Sequence, residues 1–539
     1  MKLQENGSYS LEIAQRLLPL TSKEKELKVS EEEFISVLKE YNLNDSLIFF
    51  SKISAKLFDQ TFEEDVFLKK QGNFIIHKPS KQLLTDFAIE YIVNILLISG
   101  ADNSKKESVS QNDDAVALFS IYNNSLVVPI ERGSSPASFL VPLFYQQISS
   151  QQDMKDAFVR QWLIFYQAQQ LIPLEEKLDL DSALIQEIGL NVLDYTKLSF
   201  LILSYILTNP HFNFGTFANA TIESLNGILN PVKISAFLKK IAATPAEILD
   251  LDKKYNSNLE EKYTKSRYNP LWEKPIVILG ENDYLVPNLS AYKKGALRGL
   301  YWIFENSLGR KFREYFGKLF ENYSGMLIKD IFGDMNVRPE ISFKSKKEQK
   351  KFYDWVVNDN EEILLFECKA YQFPLQTLQT GNPELIKNSV FSRLVGTIKQ
   401  MFERCDDIDK YPELEEFRGK KIVPIAVFYD IPLVSSSLYD ADIKTELDRL
   451  NVEYPGISTF DYIFLTIEEL ENFAYIKDHI SLSELALRVK SNPGSSISSE
   501  INEVAKENKI SLGTHQNFLD TKFDEFCTQE ICLPPESSV

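Results

Sequence analysis

Histidine and cysteine are scarce in this chain, with four of each among 539 residues. The histidines, His77, His211, His479 and His515, are scattered, which leaves a histidine-based zinc site or a Ser-His-Asp hydrolase without support. Cys368, Cys405, Cys527 and Cys532 lack zinc-ligand spacing and are too few for a disulfide framework, as expected for a reducing cytoplasm. Long apolar runs are missing as well. The most apolar helix, Leu198 to Leu207, is too short to cross a bilayer and stops at Asn209-Pro210, so no membrane partner is expected. The start of the sequence has no basic stretch leading into an apolar one, so no secretory signal is expected. Gly317-Lys318 and Gly419-Lys420 lack the context of a G-x-x-x-x-G-K-[ST] loop, and no dinucleotide fingerprint occurs. Any ATP dependence would have to come from a separate ATPase or sensor subunit. Positive charge is also in deficit: a net charge of −18 argues against a nonspecific nucleic-acid coat, which needs local positive potential.

What is present reads as a large globular chain. Its length allows at least two domains with ample core, and its 44% hydrophobic content is ordinary. Residues 1–263 form a mainly helical unit in which Ser30 opens a helix with Glu33 at a capping-box offset. Within it Lys81 to Ile98, Phe158 to Ile172 and Leu184 to Leu207 show helical spacing, and Ala115 to Ile130 supplies two short strands. A connecting hairpin and helix follow over 264–309, where Pro270, Pro275 and Pro287 bracket two short apolar strands that turn at Gly280 to Asp283. Residues 310–490 make the core, and 491–539 a mobile tail with a short helix.

The core holds the most informative segment. Phe352 to Val357 is dense in aromatic and β-branched residues, Asn358, Asp359 and Asn360 are turn formers, and Ile363 to Tyr371 is again apolar. Two strands joined by a tight turn follow. With period-two alternation, Ile363, Leu365, Glu367 and Lys369 share one face, and Leu364, Phe366 and Cys368 the other. Two carboxylates, Asp354 and Glu367, and the Lys369 ammonium on strands this apolar are costly to bury unless paired or bound to a cation. Acid-x-Lys triplets recur at Glu26/Lys28, Glu175/Lys177, Asp252/Lys254 and Glu260/Lys262, but none of those sits in an apolar strand.

Asp354 followed by Glu367-Cys368-Lys369 resembles the signature of the PD-(D/E)XK, or restriction-endonuclease-like, nuclease superfamily. The segment GKLFENY, Gly317 to Tyr323, is similar to the helix that precedes this core, with Glu321 in its glutamate's place. Downstream, Phe391 to Arg404 reads as an amphipathic helix with Arg393, Thr397, Gln400 and Arg404 on one stripe. Lys420 to Asp430 reads as a buried strand. Tyr353 stands where the superfamily's proline would precede the first acid. The likeness covers Arg310 to Phe473. It implies an α/β (α+β overall) fold: a mainly helical N-terminal domain, then a mixed β-sheet core flanked by helices. It also implies Mg²⁺, with Mn²⁺ as a substitute, held by Asp354, Glu367 and the Cys368 carbonyl. Lys369 would contact the attacking water or the phosphate, and Glu321 would bind a second ion or orient a metal-bound water. Gln400 and Arg393, together with Lys346, Lys347 and Lys350 just before Asp354, would meet the nucleic-acid backbone.

The expected activity is metal-dependent hydrolysis of DNA in the cytoplasm by a homo-oligomer, since a double-strand cut needs two sites. By analogy the setting is prokaryotic anti-phage defence. Two alternatives stay open: a noncatalytic assembly protein that keeps the nuclease fold, and a ribonuclease on the same core. Each residue also has a plainer reading, Asp354 as a turn cap, Lys369 reaching off an edge strand to water, Glu321 and the lysines as solvated surface. Cys368 reads as a small buried apolar residue rather than a reactive thiol.

Overall fold

In a computed structural model of the chain, the strands around Asp354 and Glu367 lie at the centre of a five-stranded mixed sheet. The structure describes residues 35–105 and 154–531, apart from 37, 59–67, 72–73, 78–81, 85, 225–228, 261–266, 346–347, 360–361, 373–378, 380–382, 432–433, 436–439, 454–461, 493–494, 511 and 513–516. Its strands are β1 (Val337–Pro339), β2 (Trp355–Asp359), β3 (Glu362–Lys369), β4 (Lys421–Phe428) and β5 (Ile463–Thr466), ordered β5-β4-β3-β2-β1. The ladders β1/β2 and β2/β3 are antiparallel, and β3/β4 and β4/β5 parallel. The chain is thus a mixed α/β protein.

Alternation sorts the sheet residues onto two helix layers. Leu364 and Phe366 of β3 join Trp355 and Val357 of β2 in one apolar cluster, while Ile363 and Leu365 join Val356 in another. The first face is covered by a helix over Arg310–Phe332, whose buried Phe312, Phe316, Leu319, Phe320, Tyr323 and Leu327 recur at helical spacing. The second is covered by a helix over Ser392–Lys410, which buries Leu394, Ile398, Met401 and Phe402. The parallel β3 and β4 are buried on both faces, which accounts for their nearly unbroken apolar sequence.

Several sequence expectations change. The helix expected over Lys81 to Ile98 begins at Asp86, after a strand over Gln82–Leu84. Leu184 to Leu207 is two helices, Leu180–Ile188 and Val192–Ile206. Gly189 (φ 79°) stops the first, and the Asn191 side chain accepts a hydrogen bond from the Asp194 N–H to start the second. The hairpin holds, with Ile276–Gly280 paired antiparallel to Asp283–Leu285. It is no free-standing connector, however, since His211–Asn213 and Ala242–Ala243 flank it in a four-stranded sheet. Ser30, Glu33, the stretch Ala115 to Ile130 and Cys532 lie outside the described residues. No described helix is long and apolar enough to cross a membrane.

Packing crosses residue 263 and takes in the C-terminal segment. One apolar cluster runs from Phe158 through the sheet to Ile531. The tail contributes helices over Ile497–Glu507 and Phe518–Gln529, and Phe526 packs on Phe158 and Trp162 at ring distances of 4.8 and 5.3 Å. The polar composition of this tail concealed apolar residues at Ile497, Ile501, Val504, Leu519 and Phe526, spaced to make one buried face per helix. We call the helix over Met154–Trp162 α1, that over Arg310–Phe332 α2, that over Ser392–Lys410 α3 and that over Ile467–Phe473 α4. Arg160 of α1 is buried and reaches Glu471 of α4 through Nε at 2.7 Å and Glu468 at 3.0 Å. An ion pair this well hydrogen-bonded can offset its desolvation, and it fastens the N-terminal helices to the core.

Candidate active site

The site begins with a missing side chain. A Cβ on Gly325 would lie 1.9 Å from Cζ2 of Trp355, so only glycine lets the indole of β2 lie flat against α2. The Trp355 Nε1–H also donates to the Glu321 carbonyl at 3.0 Å, one helical turn earlier. Both contacts seat the helix that carries Glu321 against the strand that follows Asp354.

Asp354 is not within the strand as expected but in a bend immediately before β2. Phe352 and Tyr353 are fully buried, and the Phe352 N–H donates to the Ile341 carbonyl at 2.8 Å. That anchorage delays the ladder until Trp355, which pairs with Phe366. Continued by one residue, the register sets Asp354 opposite Glu367. The Asp354 carboxylate accepts a hydrogen bond from the Cys368 N–H at 2.7 Å, which ties it to β3 between Glu367 and Lys369.

Glu367 is only 3% exposed and is held by three groups. Lys369 Nζ lies 2.7 Å and Gln400 Nε2 2.9 Å from one of its carboxylate oxygens, and the Arg404 guanidinium binds the other. Lys369 Nζ also donates to Gln400 Oε1 at 2.8 Å, so the ammonium is fixed by two partners while its side chain stays 27% exposed. Burial, then Glu367 and Glu321, push the Asp354 carboxyl well above the ordinary range, against the opposing pull of the Cys368 N–H and Arg404. Burial and the charges of Glu340 and Glu367 likewise raise Glu321, which Lys351 and Lys318 oppose. Burial and Asp354 push the Cys368 thiol far up, in keeping with a packing residue.

The structure therefore brings Glu367, Lys369 and Gln400 together by direct hydrogen bonds, ties Asp354 to the Cys368 backbone beside them, and couples Asp354 and Glu321 to Glu367 through charge. Arg393 stands apart, its guanidinium 4.9 Å from the centre of the Tyr371 ring. Lys350 is paired with Asp407 at 3.1 Å. Lys346 and Lys347 lie outside the described residues. Two cations of the site had no assigned role in the sequence reading. Arg404 falls on the Arg393-Thr397-Gln400 stripe of α3, which was its visible signal. Lys351, paired with Glu340 at 2.9 Å and coupled by charge to Glu321 and Asp354, lies on a separate two-stranded sheet, Ser342–Ser345 with Glu348–Lys351, that sequence alone did not reveal.

Hard oxygen donors from Asp354 and Glu367, with the Cys368 carbonyl, suit Mg²⁺, which takes one or two carboxylates and keeps several waters. The like charges that raise Asp354 are what a cation would relieve. Among the described residues no three His, Cys, Asp or Glu side chains cluster closely enough to form a protein cage for a metal. No family model, curated protein or solved structure matches the chain.

Proposed function

We propose that this chain is a Mg²⁺-dependent nuclease with a PD-(D/E)XK core that hydrolyses DNA phosphodiester bonds, as the effector of a prokaryotic anti-phage defence system. The observation that carries the reading is the convergence of Asp354, Glu367 and Lys369 where β2 and β3 meet in a mixed sheet covered by a helix on each face. Three charged groups at one apolar strand end are expensive to assemble, and phosphodiester hydrolysis uses all three.

Asp354 and Glu367, with the Cys368 carbonyl, would hold the ion. When bound, it would lower the pKa of a coordinated water and stabilise charge on a phosphate oxygen. Lys369 is positioned to donate to the attacking water or a non-bridging phosphate oxygen, and its hydrogen bonds to Glu367 and Gln400 remove the rotamer freedom that would blur that aim. Gln400 orients Lys369 and Glu367 together. Glu321, with its raised pKa, is available to accept or return a proton near Asp354.

One observation favours a rival reading. Arg404 already neutralises Glu367, as it would in a noncatalytic protein that keeps the fold as a scaffold. The deciding experiment incubates the full chain with circular and linear duplex DNA, single-stranded DNA and RNA, in Mg²⁺, Mn²⁺ or EDTA, beside Lys369→Ala. Metal-dependent cleavage lost in the variant supports the nuclease, and cutting of RNA alone would make it a ribonuclease. Absence of cleavage on every substrate, together with no metal-induced rise in melting temperature, would support the scaffold.

A further inference from the structure

A cleft of about 370 Å³ opens off the candidate site, lined by Lys369, Tyr371, Arg393, Thr397, Gln400 and Phe428 among others. In a chain of net charge −18, its described lining carries two cations, Lys369 and Arg393, and no carboxylate. The same cleft carries a flat wall: the exposed Arg393 guanidinium lies over the Tyr371 ring, while Phe428 behind it is buried. An ammonium beside the candidate catalytic groups, a guanidinium stacked on a ring further along α3, and hydroxyl and amide groups between them are the chemistry of a nucleotide unit, a phosphate joined to a flat base that can stack on the guanidinium plane.

A glycine on the same helix face keeps the cleft open. Gly396 lies within α3, one turn before Gln400, and a Cβ built there meets nothing within 4 Å. A mid-helix glycine costs about 1 kcal/mol relative to alanine, and no close packing demands it here. A bare helix face beside the cleft gives that position a use.

Resting on the nuclease reading, the geometry points to a binding subsite for one unstacked nucleotide beside the scissile phosphate, so that the substrate strand is single-stranded or unpaired at the cut. Lys369 belongs both to the candidate catalytic group and to the lining of the cleft, so a phosphate bound to it places the adjoining nucleoside along the cleft. The cleft is near the lower limit of small-molecule sites. A base can enter such a pocket only when it has left its stack and its partner, which excludes an intact duplex at that step.

The test is binding by the full chain in EDTA, read as fluorescence anisotropy of a labelled oligothymidylate and of a blunt duplex of equal length. Gly396→Leu fills the cleft at a position where the added side chain begins in open space, and Arg393→Ala removes the cation and its aromatic contact. The single strand should bind more tightly than the duplex, and each variant should weaken it by about tenfold or more, with melting temperatures confirming the fold. Unchanged affinity in both variants, tighter binding of the duplex, or no binding of either probe would overturn the subsite. The hydrolase is scored separately, by Mg²⁺-dependent cleavage of the same strand. Variant-sensitive binding without cleavage leaves the subsite standing and sinks the nuclease, whereas cleavage with variant-insensitive binding does the reverse.

Discussion

Gly325→Ala is the most revealing single change, because it adds one methyl group at the joint between α2 and β2. The new Cβ would lie 1.9, 2.3 and 2.5 Å from three atoms of the Trp355 six-membered ring, and an indole pinned by its Nε1–H bond to the Glu321 carbonyl cannot swing away cheaply. Overpacking of this kind costs up to ~3 kcal/mol. Alanine's better helix propensity returns about 1 kcal/mol. The net loss is thus about 2 kcal/mol, or roughly 4–8 °C in melting temperature if the core unfolds as a unit of its size. The alternative to unfolding is a shift of α2 away from the sheet, which would carry Glu321 with it. Differential scanning calorimetry and metal-dependent cleavage read the two outcomes. Trp355→Phe should recover part of the loss in the double variant, a non-additivity expected of residues in contact. A Gly325→Ala protein as stable as the parent, or a double variant whose losses simply add, would refute the reasoning.

Three further outcomes follow from the same geometry. Arg160→Met leaves Glu471 and Glu468 with an uncompensated buried charge and should cost about 3 kcal/mol, measured as loss of thermal stability. Arg404→Gln removes one holder of Glu367. It should lower the melting temperature of the metal-free chain and enlarge the rise produced by Mg²⁺, because the carboxylate is then free for the ion. Asp354 has a raised pKa in the folded chain. Its protonation therefore stabilises the fold at low pH, and this contribution is lost as pH climbs from its ordinary value through the raised one. Asp354→Asn should accordingly stabilise the metal-free protein at neutral pH, by about 1 kcal/mol, and weaken the binding of Mg²⁺. Unchanged melting curves with and without metal at neutral and acid pH would contradict both carboxylate predictions.

The sheet core was legible because its signals are local. Alternation along Ile363 to Lys369 assigned each side chain to the face it occupies, and the α3 stripe marked Gln400 as a candidate, though for the nucleic-acid backbone and not as the partner of Glu367 that it is. Chain pairing was harder to read. The aromatic pair Phe352-Tyr353 looked like strand, yet both residues serve as anchors and leave Asp354 in the bend. Gly325 gave no warning either, since its role depends on Trp355, thirty residues away in sequence and in contact only after the sheet forms. The lysines before Asp354 looked alike in sequence, but the two-stranded sheet gives Lys350 to Asp407 and Lys351 to Glu340. In the C-terminal segment, low average hydrophobicity hid two amphipathic faces, one completed by Phe158 and Trp162 and the other by the helices over Ile467–Phe473 and Leu482–Ser491.

The central claim is that Asp354, Glu367 and Lys369 form one hydrolytic site. Its most direct test is the single-turnover cleavage rate of the wild-type chain beside Asp354→Asn, Glu367→Gln and Lys369→Ala, each with its fold confirmed, in saturating Mg²⁺. A hydrolytic site requires wild-type cleavage that EDTA abolishes, and a loss of about a hundredfold or more in every variant. Folded variants that cut at the wild-type rate would show that the chemistry, if any, lies elsewhere in the chain.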